Sequence, residues 1–225
     1  MLEAKQTMNL VNFSRNELVN YTTSQLSTFF PDGKSAPIKS TIEQHIDETL
    51  SRLRVCVNAV KTWEKDTFNY LHSSQYCTYL YFLANSIWRN THEIDIATKL
   101  FLLNKMLNGI DMFYEIKMPN IFFIGHSTGI VLAKAEYSNY FVIYQNSTVG
   151  KNHGVAPKLG ECVIMYPNSA IIGRSTIGDH SIIAQGVSVL NNNPPGNCMI
   201  FNGKGGTLTF KPQKRNIIED FFRFE

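Results

Sequence analysis

Among the residues of this 225-residue chain whose types could do chemistry, two histidines stand in distinctive settings. His126 lies in Gly125-His-Ser-Thr-Gly129, and His153 in a Gly-, Pro- and Lys-rich stretch, Gly150-Lys-Asn-His-Gly-Val-Ala-Pro-Lys158. An imidazole titrates near neutral pH, so it can take a proton from a hydroxyl as that oxygen attacks an electrophile. A lone histidine can equally fill a corner of the core, and these two segments alone leave both readings open. Lys204, among Gly203, Gly205 and Gly206, offers a cation and bare backbone to a phosphate, but no strand before it and helix after it frame a nucleotide-binding loop. Metal chemistry is not expected. His45 reads as a polar helix edge, His72 and His92 as residues near helix starts and His180 as a repeat corner, none with a companion at ligand spacing. Cys56, Cys77, Cys162 and Cys198 form no C-x-x-C pair, so they are expected as buried free thiols.

The element that must position these groups is a repeat. From Met165 to Leu190 the chain cuts into sixes, with Met165, Ile171, Ile177, Ile183 and Val189 at the first place and small Ser169, Ser175, Ser181 and Val187 at the fifth. A period of six fits neither a helix nor an alternating strand, so each six is one short strand plus a corner. Carried backwards, the phase predicts Leu132, Ser138 and Tyr144 at the first place. The insertion bearing His153 interrupts it, and such insertions leave a stacked wall as loops. Asn191-Asn-Asn-Pro-Pro-Gly196 ends the coils, and Phe201 to Pro212 reads as a closing segment.

The first half has a different texture. Asn16 to Phe30 permits a helix and ends at the turn signal Pro31-Asp32-Gly33. Ser40-Thr-Ile-Glu43 has the form of a capping box, followed by Ile42, Ile46, Leu50, Leu53, Val57 and Val60 at helical spacing. Ser73 or Ser74 is expected to cap an aromatic helix through Trp88, and a further helix runs from Glu93 to Asn108 with Gly109 as its left-handed stop. β-branched and aromatic residues take over at Ile110. The expected class is α+β: an α-helical domain over residues 1–109, a repeat domain over 110–212, and a tail over 213–225 whose final Phe-Phe-Arg-Phe needs a partner surface.

A net charge of +3 with 44% hydrophobic and 17% charged residues suggests an ordinary globular protein without a nucleic-acid-binding surface. No stretch has the ~18 uncharged apolar residues of a membrane span, and no secretory leader opens the chain, so a cytoplasmic protein is expected.

Taken together, the helical first half, the segment Gly125-His-Ser-Thr-Gly-Ile-Val131 and the terminal run Val189 to Pro212 resemble the hexapeptide-repeat acyltransferases, and within them the serine acetyltransferase branch. The resemblance implies a left-handed parallel β-helix and acetyl-CoA as co-substrate. It implies His126 as general base and, fifteen residues upstream, Asp111 as the carboxylate that steadies it. Three hexads make one triangular coil, so positions fifteen apart fall on successive coils near one corner. It further implies Ala184 and Gly186 along the pantetheine arm and a homotrimer. In that setting His153 reads as a loop contact to the acceptor, Lys204, Gly205 and Lys211 as contacts to the coenzyme's phosphates, and Asp66, ahead of the aromatic helix, as a residue facing the acceptor across the domain junction.

Two departures matter. Gly125 stands where the branch carries an Asp that helps hold the amino acid, and Val155-Ala-Pro-Lys158 stands where it carries Arg-His-Pro-Lys. Without that pair a zwitterion loses its ionic partners, so a hydroxyl or amine of a sugar or polysaccharide precursor is the expected acceptor, with L-serine next. A non-catalytic trimeric interaction module is the reading from another class.

Overall fold

In the computed structural model, which describes residues 8–224, four helices come first: α1 at Arg15–Phe29, α2 at Ser35–Ala59, α3 at Ser73–Thr91 and α4 at Ile94–Asn108. Asn9–Leu10 pairs in parallel with Thr67–Phe68 and ties the start of the described chain to the α2–α3 loop.

The helix ends show which local signals decide. The capping box belongs to α1, where Glu17 N donates to Ser14 Oγ (3.3 Å) and Ser14 N donates to Glu17 Oε2 (2.7 Å). The box expected at Ser40 is not a helix start. α2 begins five residues earlier, at Ser35, without a side-chain cap. Pro37 suits its first turn, where no amide donor is needed, and Ile38 carries the buried stripe back past Ser40. α3 is capped by His72, whose Nδ1 accepts from Gln75 N, one residue ahead of the expected serine. α4 follows expectation, with Glu93 accepting from Asp95 N and Gly109 left-handed at φ 62°. His45 is buried and bonds Thr41 O through Nδ1, which corrects the polar edge expected for it, while His92 closes α3 in the left-handed region directly before Glu93, the cap of α4.

α3 packs between α2 and α4 and is buried along nearly its whole length. Its buried phenols are satisfied: Tyr79 shares a hydrogen bond with Thr22 (3.0 Å) and Tyr81 donates to Ile116 O (2.6 Å). Phe82 meets Phe122 of the following layer at 5.6 Å, so helices and first coil share one core.

From Asp111 onward the chain winds into a parallel β-helix with three faces. One face has five strands (Asp111–Met112, Val131–Leu132, Thr148–Gly150, Ala170–Ile172, Ser188–Leu190). A second has two (Lys158–Leu159, Thr176–Ile177). The third has six: Phe122–Gly125, Phe141–Tyr144, Ile164–Met165, Ile182–Ile183, Cys198–Asn202 and the antiparallel Leu208–Pro212.

Inward residues stack in columns: Met112, Leu132, Val149, Ile171 and Val189 on one face, and Ile124, Ile143, Met165, Ile183 and Ile200 on another. All are buried, each worth about 1.5–3 kcal/mol. The small fifth-place serines have a polar reason as well. Ser175 Oγ donates to Ile172 O and Ser181 Oγ to Gly178 O, satisfying turn carbonyls in the interior.

The phase carried backwards holds at Leu132 and then slips. Glu136 pairs with Lys158, which sets Tyr137 over Leu159, and Ile143 stacks over Met165. The inward places are therefore Tyr137 and Ile143, one residue before the expected Ser138 and Tyr144.

The tail finds its partner surface within the chain. After the 3-10 turn Ile217–Asp220, Phe222 bridges Val60 in antiparallel fashion, Lys61 N donates to Phe221 O (2.7 Å) and Arg223 N to Ala59 O (2.8 Å). Phe222 and Phe224 close on Tyr140 with ring centroids at 5.4 and 4.7 Å.

Candidate active site

His126 sits where the β-helix turns from its six-stranded to its five-stranded face, and that turn is longer than the others. The chain takes six residues from Gly125 to Val131, but four from Tyr144 to Thr148, from Tyr166 to Ala170 and from Ala184 to Ser188. His126 and Ser127 are the extra two. The insertion lifts the imidazole off the wall: His126 is exposed, in the left-handed region at φ 59°. Its base is pinned to the end of α4, because Ser127 Oγ donates to Asn108 O (2.7 Å), Gly129 N to Gly109 O (2.9 Å) and Asp111 N to Ile130 O (2.8 Å). An exposed histidine on a braced corner can accept a proton from an incoming group.

Asp111 lies beside this corner, paired with Val131 on the five-stranded face. Its carboxylate is not joined to His126 by a hydrogen bond among the described residues. Asp111 Oδ2 instead accepts from Lys105 Nζ at 2.8 Å.

Next to His126 is a wall that sequence reasoning missed. A Cβ built on Gly125 would lie 2.6 Å from Tyr144 Cε1 and 2.8 Å from Cδ1, so the Tyr144 ring fills the space a side chain there would take. The ring is 6.3 Å from the His126 ring, stacks on Tyr166 at 5.9 Å and 19°, and meets Phe221 of the tail at 6.2 Å. Burial pushes the Tyr144 phenol above its ordinary range. The available signal was the pair of tyrosines 22 residues apart, one coil of 18 plus the four extra residues of the His153 loop, had the phase been set one residue earlier.

Below His126 the same edge carries small residues. Asn146, Asn168 and Gly186 are left-handed in successive turns, and a Cβ on Gly186 would meet no atom within 4 Å. Asn202 Nδ2 donates to Gly186 O, tying that corner to the hairpin whose tip is Lys204–Gly206, with Gly205 at φ 64°. Lys211 lies over the Phe201 ring at 5.2 Å. Ala184, Gly186, Lys204, Gly205 and Lys211 thus gather at the lower end, three coil steps from His126, or about 14 Å at the usual strand spacing. The lower end of this edge therefore combines small residues with two exposed lysines.

His153 is on another edge, between the five- and two-stranded faces. It lines a hollow of about 370 Å³ with Asn152, Val155, Arg174, Asn191 and Asn193, in a tight loop closed by Asn152–Val155 hydrogen bonds. Within one chain it does not meet His126. The Asp66 carboxylate accepts from Asn58 Nδ2 (2.7 Å) and Arg54 Nε (2.5 Å), which hold it below the usual carboxylate range and fasten the α2–α3 loop. All four cysteines are free and buried, and no cluster of metal-ligating side chains occurs among the described residues. Among the described residues no helix is long and apolar enough to cross a membrane.

No family model matches the sequence, and no curated protein is a recognisable sequence relative. Solved structures do match. A serine acetyltransferase from Brucella abortus strain S19 aligns with a TM-score of 0.71 at 19% identity, covering 90% of this chain and 87% of its own. The fold is that of the serine acetyltransferases. A serine acetyltransferase in complex with CoA aligns at 0.69 and 17% identity over 88% of this chain and 87% of its own. A soybean serine acetyltransferase complexed with serine aligns at 0.65 and 16% identity over 88% and 86%. Helical half and β-helix are both inside these alignments, as the motif resemblance implied.

Proposed function

We propose that the chain is an acetyl-CoA-dependent O-acetyltransferase acting on a small hydroxyl-bearing acceptor. The observation that carries this reading is the two-residue insertion that raises His126 at the head of an open edge, on a fold shared with enzymes of that activity. Coenzyme A supplies the acetyl group as an activated thioester. Ala184 and Gly186 leave room for its arm, and Lys204 and Lys211, with the Gly205 backbone, face its phosphates. His126 takes the proton of the acceptor hydroxyl as that oxygen attacks the thioester carbonyl, and backbone N–H groups of the corner support the developing oxyanion. Its collapse breaks the C–S bond and releases the coenzyme A thiolate, which takes the proton from the His126 imidazolium. Asp111 steadies the resulting imidazolium through its charge, with Lys105 fixing the carboxylate's place.

L-Serine is the first acceptor to assay, since the structural neighbours are named for it; the sugar or polysaccharide acceptor expected from the departures at Gly125 and Val155 has no support among them. The reading includes a homotrimer, in which the His153 loop of one copy approaches the His126 edge of the next, and a cytoplasmic setting. Thiol release from acetyl-CoA with L-serine is expected to fall at least 100-fold in His126→Ala. Equal release by variant and wild type removes His126 as the base, and a monomer in light scattering removes the trimer.

A further inference from the structure

We infer that Tyr144 sets which acceptor reaches His126, and that the site favours an acceptor with an uncharged amide or hydroxyl, rather than an ammonium, beside the reacting hydroxyl. The inference rests on His126-dependent acetyl transfer as proposed above.

Gly125 lacks the left-handed φ that demands glycine, so its backbone would accept a side chain. The Tyr144 ring stands in its way, supplying the three nearest atoms at 2.6 to 3.0 Å from the Cβ position. The residue immediately before His126 therefore cannot present a carboxylate. The ring that replaces it is fixed on several sides, by the Gly125 backbone, by stacked Tyr166, and by Phe123 at 6.3 Å and Phe221 at 6.2 Å. Phe221 is itself anchored, through its carbonyl, to Lys61 N.

With both faces packed, the ring offers its edge and hydroxyl. That hydroxyl has no hydrogen-bond partner among the described residues, and burial keeps it protonated. A neutral phenol gives and accepts a hydrogen bond but does not neutralise charge. An ammonium held beside it gives up hydration without gaining an ion pair, whereas an amide or hydroxyl exchanges one hydrogen bond for another. The charged groups around the site pair among themselves, Lys105 with Asp111 at 2.8 Å and, beside Tyr166, Arg215 with Asp220 at 2.6 Å.

The test compares kcat/KM for N-acetyl-L-serine and L-serine, which differ only in the amine, using the full-length protein and acetyl-CoA. Wild type is expected to favour N-acetyl-L-serine at least tenfold. Tyr144→Phe keeps the ring packing and is expected to cut that preference at least threefold through the acceptor KM, leaving the KM for acetyl-CoA unchanged. The double variant Gly125→Asp, Tyr144→Gly removes the ring and restores a carboxylate, and is expected to reverse the preference towards L-serine. A wild-type preference for L-serine, or one ratio shared by all three proteins, overturns the inference while acetyl transfer stands. No His126-dependent thiol release with either acceptor overturns it together with the reading on which it rests.

Discussion

Arg223 closes the open end of α2 by donating to Val60 O at 2.6 Å, and the same guanidinium reaches Asn58 O (3.0 Å), Lys61 O (2.9 Å) and Trp63 O (2.7 Å). These carbonyls lie at and just beyond the last turn, where a helix has acceptors without intrahelical donors and where a cation also suits the dipole. Arg223→Ala is expected to cost about 2 kcal/mol, read from urea unfolding. Arg223→Lys should recover less than half, since a point cation cannot span four acceptors as a planar fork does.

The columns of inward residues make a second prediction. Ile171 sits between Val149 and Val189 with no exposed surface. Ile171→Ala is expected to cost roughly 2–5 kcal/mol, because rigid coils on both sides cannot collapse into the cavity. Ser138→Ala, at the place the extrapolated hexad phase marked as inward, loses a hydrogen bond to Leu159 O and should cost about 1 kcal/mol.

The corner insertion can be removed. A variant lacking residues 126 and 127 has the same turn length as the three coils below and should keep its circular dichroism spectrum. It gives up the Ser127–Asn108 bond, worth about 1 kcal/mol, and all acetyl transfer. Loss of the fold would show that the two residues serve the turn rather than the imidazole.

A charge cluster joins the α1–α2 turn to α4, with Lys99 Nζ at 2.5 Å from Asp32 and 3.0 Å from Asp95. The hydrogen bond from Lys99 holds both carboxylates below their ordinary 3.8. Burial works to lower the Lys99 ammonium, but the bonds to Asp32 and Asp95 outweigh it and leave it above 10.5. Carboxylates with depressed values stabilise the fold above 3.8 and lose that contribution as pH falls through their folded values; a raised ammonium stabilises below 10.5 and loses its contribution as pH rises past its folded value. The cluster's contribution is therefore flat between those limits and lost at both ends. The difference in urea midpoint between wild type and Lys99→Met should be constant near neutrality and shrink in acid.

What could be read from the chain divides along physical lines. Gly109, with no competing stop nearby, marked the end of α4, and the last coils were legible because Met165 to Val189 repeat without interruption. Ser40 misled because Ser-x-x-Glu also occurs inside a helix whose apolar stripe began at Ile38. Ser138 and Tyr144 misled because the chain covers Leu132 to Tyr137 in five residues, and a fixed period cannot register a shortened step. His126 was legible as a motif, yet its neighbour was not. That Gly125 is a seat for Tyr144 follows from stacking between coils, which no window of adjacent residues contains.

The Arg223 contacts also order events in time. Their partners are up to 165 residues apart, one in the helical half and one beyond the β-helix. During synthesis at about 5–20 residues per second, α2 and the coils emerge while the carbonyls at the end of α2 still face water. Only when residues 221–224 have left the ribosome can that end be closed and Phe221 set against Tyr144, so Tyr144 gains this neighbour after every coil of the β-helix has emerged.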